Sequence, residues 1–352
     1  MSKENEQKTV AELAMPSTDL TADISFFQNL GLRLDQIYPS EDPAVARMSG
    51  LGLKIRLEKG VDHPAPVLYL LCEEAESSEL TAPNGCLIRY APASFELTQP
   101  PTVHKFELRQ LRDGAPWVIG RAGMHYRDLI PDRLGGSIIA SHIRIPEAGP
   151  VPDVVHYHTI GFQLIYCYKG WVRLVYEDQG APFVLHAGDC VTQPPQIRHR
   201  VLEASENLEV VEIGVPADHM TTVDHEMELP TANFRPDREF EGQVFCHHQL
   251  AKAKWQPNGH TGFESRDTGV ASATKGLADV QVFKAGEAPV EWVLQHSADI
   301  HFSFVLEGSA CLLAEGHTYQ IKAGDAFVLP PAERFSLTEA NTEFQLLQVS
   351  LR

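Results

Sequence analysis

Two histidines, His156 and His158, stand two residues apart in the run Val154-Val-His156-Tyr-His158-Thr-Ile-Gly-Phe-Gln163-Leu-Ile-Tyr-Cys-Tyr-Lys-Gly170. On a β-strand that spacing turns both imidazoles to one face. Gln163 follows after a gap long enough to turn the chain into the next strand, and Gly170 ends the apolar run as a turn glycine. A second run, Ala187-Gly-Asp-Cys-Val-Thr-Gln-Pro-Pro-Gln-Ile-Arg-His199, supplies a Gly-Asp turn, a short strand, a Pro-Pro bend and one more histidine. Three imidazoles and one amide carbonyl from neighbouring strands can surround a single ion. Imidazole serves Zn, Fe, Mn and Ni alike, so the set implies one divalent transition metal without choosing it.

Around these residues the chain is mainly β. Strand signals run through Ser137–Ile145, Gln163–Tyr168, Val172–Tyr176, Phe183–His186, Cys190–Gln193, His199–Ala204 and Leu208–Ile213, bounded by Gly and Pro, as in a sandwich or barrel. Much of this stretch recurs. Gly123-Met-His-Tyr-Arg127-Asp128 returns as Gly262-Phe-Glu-Ser-Arg266-Asp267, and Gln163 through Gly170 lines up with His301 through Gly308. Ala187-Gly-Asp…Arg198-His199 lines up with Ala323-Gly-Asp…Arg334-Phe335. A repeat of this length means two copies of one barrel. The metal-ligand positions change between copies: His156 becomes Leu294, His158 becomes His296, Gln163 becomes His301 and His199 becomes Phe335. Two histidines fall short of the three protein ligands usual for a transition metal, so the second barrel is expected to be structural and metal-free.

The two motif runs resemble the paired motifs of the cupin superfamily: His-x-His, four residues, Glu, a glycine, then a Gly-Asp turn, a proline and His. Here they read His156, His158, Gln163, Gly170, Gly188, Asp189, Pro195 and His199, with Gln163 standing where Glu is usual. The resemblance implies two double-stranded β-helix (jelly-roll) barrels, a bicupin, with the first holding a metal on His156, His158, Gln163 and His199. The first barrel is placed at residues 116–215, a linker at 216–258 and the second barrel at 259–352. His247 and His248 in the linker face opposite sides of an extended chain and read as a packing pair.

Residues 1–9 read as a disordered tail and 10–115 as an α+β module with its connection. A helix through Ile24, Phe26, Phe27 and Leu30 is capped by Asp19 or Thr18 and stopped by Gly31. Strands follow at Leu32–Tyr38, Ala44–Met48, Leu53–Leu57 and Val67–Cys72. This β-α-β-β-β order resembles a vicinal-oxygen-chelate (glyoxalase-like) half-module. Only Glu12 stands on the strand from which that family takes a metal ligand, so the module is expected to be a scaffold or dimerisation unit, compatible with a homodimer.

The 352 residues carry 29 Lys and Arg against 47 Asp and Glu, a net charge of −18, which argues against nucleic acid as a partner. There is no apolar run of about 18 residues for a membrane span. The polar N-terminus lacks a signal-peptide core, and six scattered cysteines form no disulfide or zinc-finger spacing. A cytoplasmic enzyme on a small-molecule substrate is expected.

Gln163 is neutral where a carboxylate is usual, so a bound ion keeps its full charge and polarises an oxygen ligand more strongly. Among cupins this ligand set resembles that of uronate-processing enzymes and certain polyketide cyclases. Lewis-acid chemistry (lyase, isomerase or cyclase) on a carboxylate-bearing metabolite is the leading reading. The alternatives are an Fe(II)-dependent dioxygenase and a non-catalytic metabolite-binding cupin. His142 and Arg144 share one face of Ser137–Ile145. With that face inward, Arg144 holds a substrate carboxylate and His142 carries a proton. Arg127, Tyr166 and Tyr168 are further candidates. Alternation from Gln163 puts Ile165 and Cys167 on its face and turns Tyr166 away. On this reading, Gln163→Glu is expected to hold metal at least as tightly while slowing turnover.

Overall fold

The computed structural model describes residues 10–29, 31–50, 52–61, 67–73, 79–81, 87–94, 96–286 and 291–352. The tail expected at 1–9 lies outside the described residues. Strands take 50% of the residues and helices 9%, a mainly β fold as expected. Contacts divide the chain into two units. One holds the residues up to Leu97 with His156–Thr159 and His219–Met227. The other holds Thr98–Val155, Ile160–Asp218 and Glu228–Arg352.

The first unit begins with strand Val10–Ser17, helix Leu20–Asn29 and strands Arg33–Tyr38, Val45–Gly50, Leu53–Lys59 and Val67–Cys72, within two residues of the expected bounds. Asp19 Oδ1 accepts the Ala22 amide at 3.0 Å, which caps the helix, and Gly31 follows its last turn at φ +100°. Leu20 packs with Leu32, Ala46, Met48, Ile55 and Leu57 into a small core of their own. Val10–Ser17 runs parallel to Leu53–Lys59 and antiparallel to Val67–Cys72. On the other side, Arg33–Tyr38 pairs with Met220–Val223, and that strand pairs with His156–Thr159. The strand bearing two candidate ligands is therefore carried in the same sheet as the N-terminal strands.

The second unit contains two barrels of matching construction. In the first, the sheet order is His247–His248, Cys190–Thr192, Phe162–Lys169, Leu208–Val215, Ile139–Ile145, His125–Asp128, Val118–Ile119. In the second it is Gln256–Pro257, Phe263–Asp267, Ala278–Ala285, Gln345–Leu351, Ile300–Glu307, Ala326–Val328, Glu107–Arg109. Each sheet has one face inside its barrel and the other against its counterpart. Ala140, Leu164, Tyr166, Val211 and Ile213 of the first join Val280, Val282, Phe302, Phe304, Leu347 and Val349 of the second in one buried cluster. Each valine, leucine, isoleucine or phenylalanine among them contributes about 1.5–3 kcal/mol on burial.

The barrels also exchange strands. Glu107–Arg109, which precedes the first barrel, pairs with Ala326–Val328 of the second. His247–His248, which precedes the second, pairs with Cys190–Val191 of the first. The stretch read as a linker is therefore partly strand. His247 stacks on Phe183 with centroids 4.2 Å apart, and His248 meets the Arg266 guanidinium at 2.6 Å. Nearby, Arg235 and Arg238 grip the buried carboxylate of Asp178.

Two arginines close the exchange. Arg127 of the first barrel donates to the Gly324 carbonyl at 2.8 Å; its repeat equivalent, Arg266, donates to the Gly188 carbonyl at 2.9 Å and to the Tyr166 hydroxyl at 2.9 Å. Both glycines belong to Gly-Asp turns at positive φ. A Cβ on Gly188 would lie 2.5 Å from Leu250 Cδ2, and one on Gly324 would lie 2.9 Å from Leu111 Cδ2. The next aspartates accept the backbone amides of those same leucines, Asp189 from Leu250 at 2.7 Å and Asp325 from Leu111 at 2.8 Å. Arg127, one of the candidates for the site, is thus half of a structural clasp. Arg127→Met or Arg266→Met leaves a buried carbonyl without its donor and is expected to lower unfolding stability by about 1–3 kcal/mol. Denaturant unfolding that shows wild-type stability in both variants would remove the clasp from the account.

Candidate metal centre

His156 and His158 are buried and alternate with half-buried neighbours along His156–Thr159. His199 starts the strand His199–Ala204 after the Pro-Pro bend. One ligand nitrogen from each of His156, His158 and His199 lies within 4.8 Å of the others. Burial pushes the His199 imidazole down to about 4, against a smaller opposing effect of the Ile197 carbonyl, so it is neutral and able to ligate at neutral pH. Its Nδ1 donates to that carbonyl at 2.9 Å. The His158 Nδ1 meets the Thr221 hydroxyl at 2.9 Å. Both contacts leave Nε2 as the ligand nitrogen and fix the ring.

Gln163 is 1% exposed. Its side-chain amide contacts Glu212 Oε1 at 2.5 Å. A carboxylate only accepts, so the amide presents its N–H there and turns its carbonyl oxygen the other way. That buried oxygen has no hydrogen-bond partner among the described residues. Three imidazoles and a buried amide oxygen are donors suited to a divalent transition metal, which His156, His158, His199 and Gln163 would hold.

The surroundings include groups that sequence reasoning missed. Glu212 sits in an apolar strand opposite Ile165 and supplies the carboxylate that position 163 lacks. Arg121 is ion-paired with Asp153. Burial alone would lower its basicity, but the carboxylates of Asp153 and Glu212 raise it. Tyr176 stacks on His199 at 5.5 Å and accepts from Gln193 at 2.8 Å. His219 packs edge-on against His158 at 5.4 Å and meets the Ser40 hydroxyl at 3.2 Å. No spacing rule marks them; an acid inside an apolar strand was the one available signal, for Glu212.

His142 and Arg144 go elsewhere. In antiparallel pairs, opposed residues share a face. Ile143 opposes Val210, which opposes Cys167, on Gln163's face; His142 opposes Val211, which opposes Tyr166. The face of His142 and Arg144 is therefore the one away from the barrel interior, contrary to the inward orientation that their catalytic roles required. His142 has both ring nitrogens engaged, with Arg127 at 3.0 Å and Glu209 at 2.8 Å, and Arg144 donates to Asn207 at 2.5 Å. Tyr168 belongs to the same layer, edge-on to His142 and Phe304. Tyr166 points away from Gln163 and Cys167 is a buried core thiol, as alternation predicts.

His156→Ala and His199→Ala are each expected to abolish the bound metal, measured by elemental analysis of purified protein. With Glu212 in place, the expectation for Gln163→Glu reverses. Two carboxylates this close cannot both ionise, so the variant should lose metal and melt lower. The exchange Gln163→Glu with Glu212→Gln should restore both, and failure of that rescue would show that Gln163 is not held by Glu212.

No protein-family model and no curated protein matches the chain. Solved structures do. Oxalate decarboxylase from Bacillus subtilis is similar at 12% identity and TM-score 0.52, over 71% of this chain and 77% of that one. Salicylate 1,2-dioxygenase from Pseudaminobacter salicylatoxidans is similar at 17% and 0.52, over 72% and 86%. Protein Ylba from E. coli is similar at 14% and 0.50, over 72% and 94%. The glyoxalase-like resemblance of the N-terminal module is not shown by these likenesses. At such identities the shared property is the fold, and it is the fold of the two-barrel cupins.

Proposed function

We propose that the first barrel is the active site of a metal-dependent enzyme that acts on a small, oxygenated, carboxylate-bearing molecule by Lewis-acid chemistry, as a lyase, isomerase or cyclase. The charge balance of the interior carries this reading. Arg121 contributes one positive charge, Asp153 and Glu212 one negative charge each, and the imidazoles and Gln163 none. With a divalent ion the set holds one net positive charge, which a single substrate carboxylate neutralises. The ion, when bound, supplies electrophilic polarisation of a ligand oxygen.

The remaining tasks fall to the chain. Thr221 and the Ile197 carbonyl fix His158 and His199. Arg121 is the cation that reads the substrate carboxylate, in the role expected of Arg144. Glu212 is the carboxylate placed to take up and return a proton, in the role expected of His142. Tyr176, Phe183 and Phe245 pack ring on ring beside His199 and keep water from that side.

Glu212→Gln preserves a hydrogen bond to Gln163, so metal content should hold while kcat falls about 10²–10⁴-fold. Arg121→Lys should raise KM for a carboxylate substrate about 10-fold or more at little change in kcat. Turnover of a screen of uronates, β-diketones and hydroxy acids should be the same with and without oxygen. Strict oxygen dependence would replace this reading with the dioxygenase one; metal-loaded protein that binds such molecules without turnover would replace it with a binding protein.

A further inference from the structure

The second barrel carries an uncommon burden of polar groups. Its strands stand in register so that Asp279 opposes Ser350 and Ser350 opposes His301, while Gln281 opposes Gln348 and Gln348 opposes Ser303. Two rows of polar side chains thus share the interior face at one end. Below them the same strands present Phe283, Leu346 and Val305, part of an apolar floor with Trp292. A cleft of about 410 Å³ in the N-terminal sheet is larger, but its arginines are already paired, Arg47 with Glu12 and Arg56 with Glu58.

A cleft of about 290 Å³ opens onto the polar rows, lined among others by Asn258, Asp279, Trp292, Gln348 and Ser350. Asn258 Nδ2, Trp292 Nε1, Gln348 Nε2, Ser303 Oγ and His301 Nε2 are buried with no hydrogen-bond partner among the described residues. Trp292, Ser303 and His301 are each at least nine-tenths buried. Leaving such groups unsatisfied costs about 1–3 kcal/mol apiece, whereas apolar replacements of similar shape are nearly neutral. A purely structural barrel has no use for them.

We propose that the mouth of the second barrel binds a small neutral polyol through hydrogen bonds alone, without a metal. Most of the unsatisfied atoms are donors, which call for acceptor oxygens. The one carboxylate among the lining residues, Asp279, accepts from Gln281 at 3.1 Å through Oδ2 and offers its other oxygen to a hydroxyl that donates, and the lining includes no lysine or arginine to hold an anion. Only a molecule rich in hydroxyls meets both demands. His301 is held with its Nδ1 on the Ser350 hydroxyl at 2.9 Å, and burial, with a further effect of His296, pushes it down to about 3, so it adds no charge.

Saturation-transfer NMR on the full-length, metal-loaded protein tests this, with xylitol, D-xylose and myo-inositol as probes and malonate as the anionic control. The polyols should receive saturation and malonate should not displace them. Ser303→Val with Gln348→Leu should melt no lower than wild type and weaken polyol binding about fivefold or more; Asp279→Asn, which keeps Ser303 and Gln348 in place, should weaken it as well. Absence of transfer to all three polyols would mean ordered water only and would overturn the proposal. So would transfer that persists unchanged in both variants, or a fall in melting temperature showing that the polar rows are structural.

Discussion

The apolar layer between the two large sheets of the second unit is the constraint on which the rest depends. Each sheet is covered on both faces, by its own barrel interior on one side and by its counterpart on the other. A polar residue on these strands therefore has two destinations, and parity along the strand decides between them. Gln163 and Glu212 fall on the interior parity and build the candidate metal centre. Arg127, His142, Arg144 and Tyr166 fall on the other, where three of them form the clasp across the layer and Arg144 meets Asn207 at its rim. A one-residue slip of register would exchange these sets and dismantle both.

The same constraint sets what the sequence can reveal. The two histidines of His156–Thr159 were legible because their spacing needs only the period of a strand. The repeat was legible because Arg127 and Arg266, and the Gly-Asp turns, recur in the same order. The face of His142 was not legible, since a strand buried on both sides shows no hydrophobic alternation to mark its inside. Glu212 was marked only as an acid inside an apolar strand, because its value lies in a partner, Gln163, on a neighbouring strand. The reach of the repeat was also underestimated. Leu111 and Leu250 plug equivalent turns from segments that look like connections, because what they contact is far away in the chain.

Comparing the barrels row by row shows how one scaffold holds two kinds of interior. Gln163 and Gly214 oppose each other where His301 and Ser350 do in the repeat; Ile165 and Glu212 correspond to Ser303 and Gln348. The first barrel thus concentrates charge beside its imidazoles, while the second spreads neutral donors over the same positions. Leu294 opposes Phe335 across a strand pair, filling with hydrocarbon the places that His156 and His199 hold in the first copy. Within the interiors this divergence lies at the mouth. The floors remain apolar in both, because packing there tolerates little change of volume.

The N-terminal sheet adds a dependence that a reading of separate modules overlooks. Its ladder runs from Arg33–Tyr38 through Met220–Val223 to His156–Thr159. Thr221, one residue into the intervening strand, is the group that orients His158. Ser40, just past Arg33–Tyr38, supports His219 against the same imidazole. Ladder bonds are cooperative along such a path, so local opening of the sheet frees the ligand strand and its two orienting groups together. The small core around Leu20, Met48 and Ile55 contributes no ligand, yet it stabilises the sheet on which two of the ligands are carried. A destabilising change in that core is therefore expected to reach the candidate metal centre through backbone hydrogen bonds.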